Sequence, residues 1–364
     1  MTAGKSAPRE RALQSLEELQ AAINKDYGKG TLMRLGDTPM EVPGTFSSGS
    51  IGLDEALGIG GIPRGRIIEI YGPESSGKTS IALHATGNAQ RKGLSAAFID
   101  AEHALDPSWA EALGVKTEDL YVSQPDSGEE ALQVTARLVN SGLFGIITVD
   151  SVAALVPKAE LEGAIGDSHI GLMARMMSQG LRMLTGPAAE TGTTIIFINQ
   201  LREKVGVFFG SSETQPGGKA LKFYSTIRLD VRRIATIKSG EQATGSRVKV
   251  KVVKNKLSPP FRAAEFDFYF GIGISREAEL LDLAVDRGVI RKSGAHYRLP
   301  GEDKAVQGKD KACSWLAEHP EEMAAVEAAV RAAPAPAKFG KAAAGEGISM
   351  EGPAPWDEGG EASE

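Results

Sequence analysis

A chain of 364 residues is longer than one hydrophobic core usually serves, and 41% apolar with 24% charged residues is the balance of a folded rather than a disordered chain. A single cysteine, Cys313, excludes a disulfide framework within the chain and a cysteine-based zinc ribbon, while the lack of a signal peptide or a long apolar run predicts a soluble, cytoplasmic protein with no membrane partner. The net charge of −6 does not exclude binding to nucleic acid. Six acids and no base follow Gly345, and the charges of the remaining residues sum to zero.

The first predicted element is an amphipathic helix over residues 9–24. Its apolar positions recur at helical spacing and are Leu13, Leu16, Leu19 and Ile23. Such a helix either packs on its own domain or docks on a neighbouring copy of the chain, and the pattern alone favours neither. We assign residues 1–39 to this helix and a linker, and we expect them to serve subunit docking.

Residues 40–270 predict an α/β core. Short apolar runs with strand character lie at residues 66–71, 96–100, 145–150 and 193–199. Helix-like stretches, such as residues 80–92 and 128–141, separate these runs. Apolar strands that alternate with helices predict a parallel sheet covered on both faces. Two later segments, residues 228–233 and 247–253, alternate apolar and charged side chains as half-exposed strands do.

The strongest motif directly follows the first predicted strand. Residues 72–79 read GPESSGKT, which fits the phosphate-binding pattern G-x-x-x-x-G-K-[ST] between a strand and a helix. Its glycines let the backbone wrap a phosphate closely, and the helix adds the positive end of its dipole. Lys78 reaches the outer phosphates, and the Thr79 hydroxyl can bind Mg²⁺. The expected nucleotide contacts are Gly72, Pro73, Glu74, Ser75, Ser76, Gly77, Lys78, Thr79 and Ser80.

Carboxylates stand at the ends of the next two predicted strands. The run AAFIDAE carries Asp100 and Glu102 at its end, and the run FGIITVDS carries Asp150. Because parallel sheets bind ligands at the carboxyl ends of their strands, Glu102 is placed to activate water as a general base. His103 either shares that role or is structural. Asp150 is the acid that a phosphate loop needs near its metal, or else a cap for the following helix.

The fourth predicted strand ends in a neutral amide pair, Asn199 and Gln200, at the same rim. Gln200 is suited to sensing the γ-phosphate, and a simple strand-end hydrogen bond is the alternative. Two Gly-rich, polar stretches, residues 162–170 and 203–218, predict loops.

The segment 228–262 is basic, with ten Lys and Arg residues against two acids. Three interpretations remain open for it: a surface strand with one solvated face, a secondary DNA contact, and a role at the nucleotide of a neighbouring subunit.

The last third of the chain changes in composition. Residues 271–332 predict a small C-terminal domain with helices at 277–286 and 309–319. Residues 333–364 predict a flexible Pro/Ala/Gly linker and an acidic tail. The carboxylates of the tail either keep this end soluble or screen a basic DNA-binding surface of the same chain.

Seven blocks of the sequence together resemble the bacterial RecA recombinase family. They are GPESSGKT at 72–79, FIDAEHALDP at 98–107, VDSVAAL at 149–155, IGDSH at 165–169, FINQLR at 197–202, GGKALKFY at 217–224 and VVKNK at 252–256. The likeness runs from the N-terminal helix to about residue 330 with register kept between blocks. It implies a P-loop NTPase with a RecA-type α/β core, a mostly parallel central sheet, an N-terminal helical docking segment and a small C-terminal α/β domain.

The resemblance implies ATP as the nucleotide and Mg²⁺ as the metal. Lys78, Glu102 and Gln200 would be the catalytic residues, with Thr79 and Asp150 at the metal. Gln200 would also couple the γ-phosphate to the loop that follows it.

Other nucleotide contacts are implied by the resemblance alone. Asp106 and Trp109 would contact the adenine, with Trp109 standing where the family usually has tyrosine. Lys254 and Lys256 would reach the ATP of the adjacent subunit in trans. Two further residues would lie at that subunit junction, namely Lys222 and Phe223.

The two loops would bind DNA. The implied contacts are Glu162, Gly163, Ile170, Arg175, Ser178, Arg182, Arg202, Val205, Gly217 and Gly218. Ile170 and Val205 would separate base triplets, and Lys219 stands where the family often has asparagine. Because Phe208 and Phe209 are the only aromatics in these loops, phosphate contacts without sequence information should dominate over base stacking.

The implied activity is that of a DNA-dependent ATPase and homologous recombinase. It would form ATP-bound helical filaments on single-stranded DNA, pair this strand with homologous double-stranded DNA, promote strand exchange in DNA repair and stimulate self-cleavage of a LexA-type repressor in the SOS response. A hexameric ring helicase on the same core and a non-enzymatic DNA-binding protein are the alternatives. A RadA-type repair ATPase is disfavoured, because Cys313 alone cannot form its four-cysteine zinc module.

Overall fold

The computed structural model describes residues 6–34, 43–164, 171–203, 213–302 and 304–333. The predicted linker and acidic tail therefore lie outside the described residues from residue 334 onwards. The chain divides into two compact units, and the division falls between Glu279 and Leu280.

Five helices of the described chain agree in type and approximate bounds with those predicted, and six were not predicted. They are α1 Ser6–Tyr27, α2 Ile51–Leu57, α3 Lys78–Arg91, α4 Pro107–Ala112, α5 Gly128–Asn140, α6 Lys158–Leu161, α7 Leu172–Thr191, α8 Ala220–Tyr224, α9 Arg276–Asp286, α10 Lys309–Glu318 and α11 Pro320–Ala332. Short 3₁₀ turns cover Thr117–Asp119 and Val152–Ala154. The five predicted helices are α1, α3, α5, α9 and α10. Among the others, α11 begins with ordinary helix-start signals, namely Pro320 at its first position and two acids in its first turn.

The strands are β1 Thr45–Phe46, β2 Ile62–Pro63, β3 Ile67–Gly72, β4 Ser95–Asp100, β5 Leu120–Ser123, β6 Phe144–Asp150, β7 Thr194–Gln200, β8 Arg202–Glu203, β9 Glu213–Thr214, β10 Ile227–Ser239, β11 Gln242–Asn255, β12 Ala263–Tyr269, β13 Gly273–Ile274, β14 Arg291–Ser293, β15 His296–Arg298 and β16 Val306–Gln307. Nine of them form one sheet in the order β13-β12-β11-β10-β3-β7-β6-β4-β5. Neighbours from β10 to β5 are parallel, whereas β10 to β13 pair in antiparallel fashion. The predicted mostly parallel sheet is confirmed.

Both faces of this sheet are covered, as predicted. Alternate residues of one strand point to opposite faces, so Ile68 and Ile70 of β3 belong to one buried cluster and Ile67 to another. The first cluster includes apolar residues of α3, such as Ile81, and the second includes residues of α5 and α7, such as Leu181. This two-sided burial explains why β3, β6 and β7 are almost continuously apolar in sequence.

The carboxyl ends of the parallel strands meet at one rim. Gly72 at the end of β3 pairs with Gln200 at the end of β7. Asp100 at the end of β4 pairs with Asp150 at the end of β6. Four strand ends that carry the predicted site residues therefore lie side by side.

The second compact unit contains a small antiparallel sheet, β14-β15-β16, together with α10 and α11. Lys309 Nζ lies 3.0 Å from Asp282 Oδ2, and the Trp315 ring stacks on His319 with centroids 4.1 Å apart. Our predicted domain boundary lies at residue 271, but β13 pairs with β12 and so belongs to the main sheet.

A buried carboxylate fixes the start of α9 to the first unit. Glu279 accepts hydrogen bonds from the Ser50 hydroxyl at 2.5 Å and from the Ile51 and Gly52 amides at 2.9 Å. Burial raises the pKa of Glu279 to about 7. Because Glu279 pairs with amides at the start of α2 that have no partner within that helix, it ties the two segments together.

This carboxylate makes stability depend on pH. The pKa of Glu279 is about 7 in the folded state, against an ordinary value of 4.5, so the native state binds the proton more tightly than the unfolded state does. The resulting stabilisation of the native state is complete below about pH 4.5 and is lost as the pH rises to 7. We expect the free energy of unfolding of the wild type, relative to Glu279→Gln, to fall by up to about 3 kcal/mol between pH 5 and 8. Urea unfolding of both proteins at the two pH values measures this. An unchanged difference would contradict the assignment.

Candidate nucleotide site

The loop between β3 and α3 has the backbone of a phosphate-binding loop. Gly77 has a φ of 94° and Ser75 a φ of 55°, both in the left-handed region. A side chain at Gly72 would meet the Val231 carbonyl oxygen at 2.1 Å, so only glycine fits there. The Ser76 hydroxyl is buried without a hydrogen-bond partner in the described structure. An unpaired buried donor within this loop fits a bound phosphate.

The first residues of α3 carry the charge and the hydroxyl of the motif. Lys78 is buried and its Nζ donates to the Pro73 carbonyl at 2.7 Å. Burial lowers the pKa of Lys78. The Lys78 ammonium is thus held across the loop, from where it can reach a bound phosphate.

The residues predicted at the metal lie in direct contact. The Thr79 hydroxyl donates to Asp150 Oδ2 at 2.7 Å, and burial raises the pKa of Asp150 to about 6. Hydroxyl and carboxylate oxygens are hard donors, and Mg²⁺ usually takes only one or two protein ligands beside phosphate and water. Thr79 and Asp150 therefore fit Mg²⁺. In the described ranges no group of three His, Cys, Asp or Glu residues could hold a metal ion by itself.

Three strand ends converge on the predicted catalytic carboxylate. Gln200 Nε2 donates to Glu102 Oε1 at 2.9 Å. The Ser151 hydroxyl donates to the same carboxylate oxygen. Glu102 is exposed at the rim, where water and nucleotide can reach it. Ser151 was not among the predicted site residues, although its place directly after Asp150 was a usable signal.

Asp100 has a different role from its neighbour Glu102. It is 2% exposed and accepts hydrogen bonds from the Ala104 and Leu105 amides at 3.1 and 3.2 Å and from Gln124 at 3.0 Å. Asp100 therefore shapes the turn that presents Glu102. His103 lies on this turn, exposed, with a φ of 54°.

The two residues predicted at the adenine also have structural contacts. Asp106 caps α4 by accepting from the Ser108 and Trp109 amides at 2.9 and 3.3 Å. The Trp109 ring is half-buried, with its centroid 6.2 Å from that of Phe268. Their contact with adenine stays a prediction.

Lys254 and Lys256 lie away from the phosphate loop of their own chain. Lys254 pairs with Arg228 at the start of β10, and Arg228 pairs with Glu69 of β3. The loop begins three residues further along β3, at Gly72, which is a distance of about 10 Å.

The Lys254 side chain is held at this far end. Its Nζ donates to the Lys222 and Phe223 carbonyls at 2.6 and 3.0 Å, at the C-terminus of α8. Burial and the nearby charge of Lys256 lower the pKa of Lys254. One chain thus does not bring this lysine to its own nucleotide site.

The predicted DNA residues fall on three described elements. Arg175, Ser178 and Arg182 share one face of α7, and both arginines are exposed. Glu162 and Gly163 follow α6, and Arg202 pairs with Thr214 between β8 and β9. Ile170 and Val205 lie outside the described residues.

Gly217 and Gly218 lie close to the first of these elements. Both have positive φ, and a side chain would meet Val152 Cγ1 at 3.0 Å or Ala174 Cβ at 2.8 Å. The end of the second loop is therefore packed tightly against α7 and the turn after β6.

The basic strand β11 is partly neutralised. Arg247 Nη1 lies 2.9 Å from Asp267, and Lys249 Nζ lies 2.9 Å from Glu265, both on the neighbouring strand β12. These pairs favour the interpretation of a surface strand with one solvated face.

A strand, a glycine-rich loop and a helix that begins with Lys78 and Thr79, with Asp150 ending a strand of the same parallel sheet, define a P-loop nucleotide hydrolase. The family model described as the RecA N-terminal domain matches residues 14–275, and that of the RecA C-terminal domain matches residues 278–334. The chain belongs to the RecA family.

Curated relatives named Protein RecA match most of the chain. The protein from Saccharopolyspora erythraea is 60% identical over 321 residues, which cover 87% of this chain and 92% of the relative. That from Acidothermus cellulolyticus is 61% identical over 308 residues, covering 85% and 89%. A crystal structure of the RadB recombinase matches with a TM-score of 0.47 at 22% identity, covering 63% of this chain and 97% of that one.

Membership of this family identifies the chain as a DNA-dependent ATP hydrolase with a role in recombination and DNA repair. It also implies that the chain binds DNA and associates with itself. Within the described part of the chain, no helix has the length and apolar character needed to cross a membrane.

Proposed function

We propose that ATP binds at the junction between identical subunits and holds them in a helical filament on single-stranded DNA. The filament pairs its strand with homologous duplex and promotes strand exchange. It also stimulates self-cleavage of a LexA-type repressor in the cytoplasm, within the SOS response. Residues 1–39 dock the subunits, the ATPase core begins at residue 40 and includes β13, the C-terminal domain ends at residue 332, and residues 333–364 form the linker and tail.

The observation that carries this proposal is the separation of Lys254 from the nucleotide site of its own chain. Phosphate loop, Glu102 and Gln200 lie at one rim of the sheet, while Lys254 is bonded to α8 at the other end. A second chain whose far end meets this rim supplies Lys254 and Lys256, and such head-to-tail contacts generate helical filaments when the rotation between subunits does not close a ring.

The residues of the rim divide the chemistry. Thr79 and Asp150 would hold Mg²⁺, which would supply positive charge to neutralise the transferred phosphoryl group. Lys78 binds the outer phosphates, and Glu102 takes the proton of the attacking water. Gln200 donates a hydrogen bond to that carboxylate, and a movement of Gln200 moves the DNA loop that follows β7. Asp106 and Trp109 bind the adenine.

DNA is held through its phosphates. Arg175 and Arg182 on α7, together with Arg202 at the start of the second loop, supply cations, and Ser178 lies between them. Gly217 and Gly218, which end the second loop, let the backbone of this loop approach the DNA strand. Ile170 and Val205 separate the bases into triplets.

Electron microscopy with single-stranded DNA and a slowly hydrolysed ATP analogue tests the assembly. We expect helical filaments that require both ligands. Closed rings would instead indicate a helicase motor on this core, and isolated particles would contradict both.

A further inference from the structure

Two arginines of β10 hold the chain where it returns from the second loop. Arg232 binds Glu213 with both terminal nitrogens, at 2.6 and 2.8 Å. Arg228 Nη2 donates to Gln215 Oε1 at 3.0 Å. Both arginines lie on one face of the strand, because side chains four residues apart in a strand share a face. They therefore hold alternate residues of this returning segment.

Arg228 is itself fixed by buried groups. Its Nε lies 2.5 Å from Glu69 Oε2, and Glu69 is fully buried in β3. Its guanidinium lies 4.7 Å from the centroid of the Tyr71 ring. The other oxygen of Glu69 accepts from Asn199 Nδ2 at 3.1 Å, and the same amide lies 3.3 Å from the Pro216 carbonyl. One buried carboxylate thus joins β3, β7 and β10 to the returning segment.

This network begins beside the predicted catalytic carboxylate. Asn199 directly precedes Gln200, whose side chain donates to Glu102. The Asn199 side-chain oxygen in turn accepts from the Gln200 amide at 2.9 Å. Hydrogen bonds therefore run without interruption from the nucleotide rim through the buried carboxylate to Gln215.

We propose that Arg228 is a positioning residue that couples nucleotide state to DNA affinity. It holds Gln215 in register with Gln200, so that a shift of Gln200 at the nucleotide moves both ends of the second loop together. The inference rests on the proposed function and adds to it a fixed anchor on the returning side of the loop. The guanidinium fork supplies the two directed bonds that this anchor needs, which lysine cannot do.

Two variants cut this anchor without leaving a buried charge unpaired. Gln215→Ala removes the end near the loop. The paired change Arg228→Gln with Glu69→Gln removes both charges together, which avoids an isolated buried carboxylate. Arg233→Gln is the matched control, because Arg233 is exposed on the same strand and faces the other way.

The measurement is the Kd for a labelled single-stranded oligonucleotide, by fluorescence anisotropy, with ADP and with a slowly hydrolysed ATP analogue. We expect both anchor variants to reduce the ratio of the two Kd values by about tenfold and to leave the Kd with ADP within about twofold, because coupling is the quantity removed. The control should keep the wild-type ratio, and Gln215→Ala should keep its thermal midpoint.

Unchanged ratios in both anchor variants would overturn the inference alone. DNA binding that is weakened equally with ADP and with the ATP analogue would also overturn the inference, since the variant would then have lost DNA affinity without losing the coupling to nucleotide. A wild-type protein whose Kd is the same with both nucleotides would overturn the proposed function, and this outcome is visible before any variant is made.

Discussion

Glu102→Gln is expected to lower ATP turnover by about 10²- to 10⁴-fold while ATP binding and filament assembly on DNA persist. An amide keeps the shape of the carboxylate and can still bond Gln200, but it cannot take a proton from water. In the wild type, hydrogen bonds from Gln200 and Ser151 hold Glu102 Oε1 at the rim. Single-turnover hydrolysis with saturating oligonucleotide measures the loss.

A matched control removes a carboxylate elsewhere. Glu321→Gln changes an exposed acid in the first turn of α11, in the other compact unit, and should leave turnover within about twofold. If Glu102→Gln abolished assembly instead of slowing turnover, Glu102 would be a structural residue and the division of roles at the rim would be wrong.

Mixing two inactive variants is expected to restore activity. Lys78→Ala loses its own phosphate site, and the double change Lys254→Ala with Lys256→Ala loses the cations offered to a neighbour. Each variant alone should turn over ATP at least about 10²-fold more slowly than the wild type. In a random one-to-one mixture about a quarter of the head-to-tail junctions combine an intact loop with intact lysines, so about a quarter of wild-type activity should return.

The control for this mixture is Lys251→Ala, which removes an exposed cation from the same strand. It should be active alone and should not change the outcome of mixing. A mixture no more active than the sum of its parts would show that the lysines do not act across subunits.

Local sequence patterns were sufficient to predict most of the fold and the phosphate site. The strands β3, β6 and β7 are buried on both faces, so their sequences are mostly apolar and easily separated from the amphipathic α5. Gly72, Lys78 and Thr79 were predictable because a phosphate loop needs them at fixed spacing. Their strand-loop-helix context was readable from the same stretch of sequence.

Contacts between distant segments were not predictable in this way. Glu279 and Ser50 are 229 positions apart, and Arg228 and Glu69 are 159 apart. Neither carboxylate differs from a surface acid in sequence, since its burial depends on which strands and helices become neighbours. The capping role of Asp106 was readable locally, because Pro107 follows it at a helix start.

The central claim is that ATP binds at the junction between subunits and that its presence there controls how tightly the assembled protein binds DNA. Its most direct test is the rate of ATP turnover by the wild-type protein at fixed concentration as single-stranded oligonucleotide is added. The rate should rise at least about tenfold and saturate when DNA covers the assembled protein. A rate that stays constant across the titration, with protein that remains monomeric, would contradict the account.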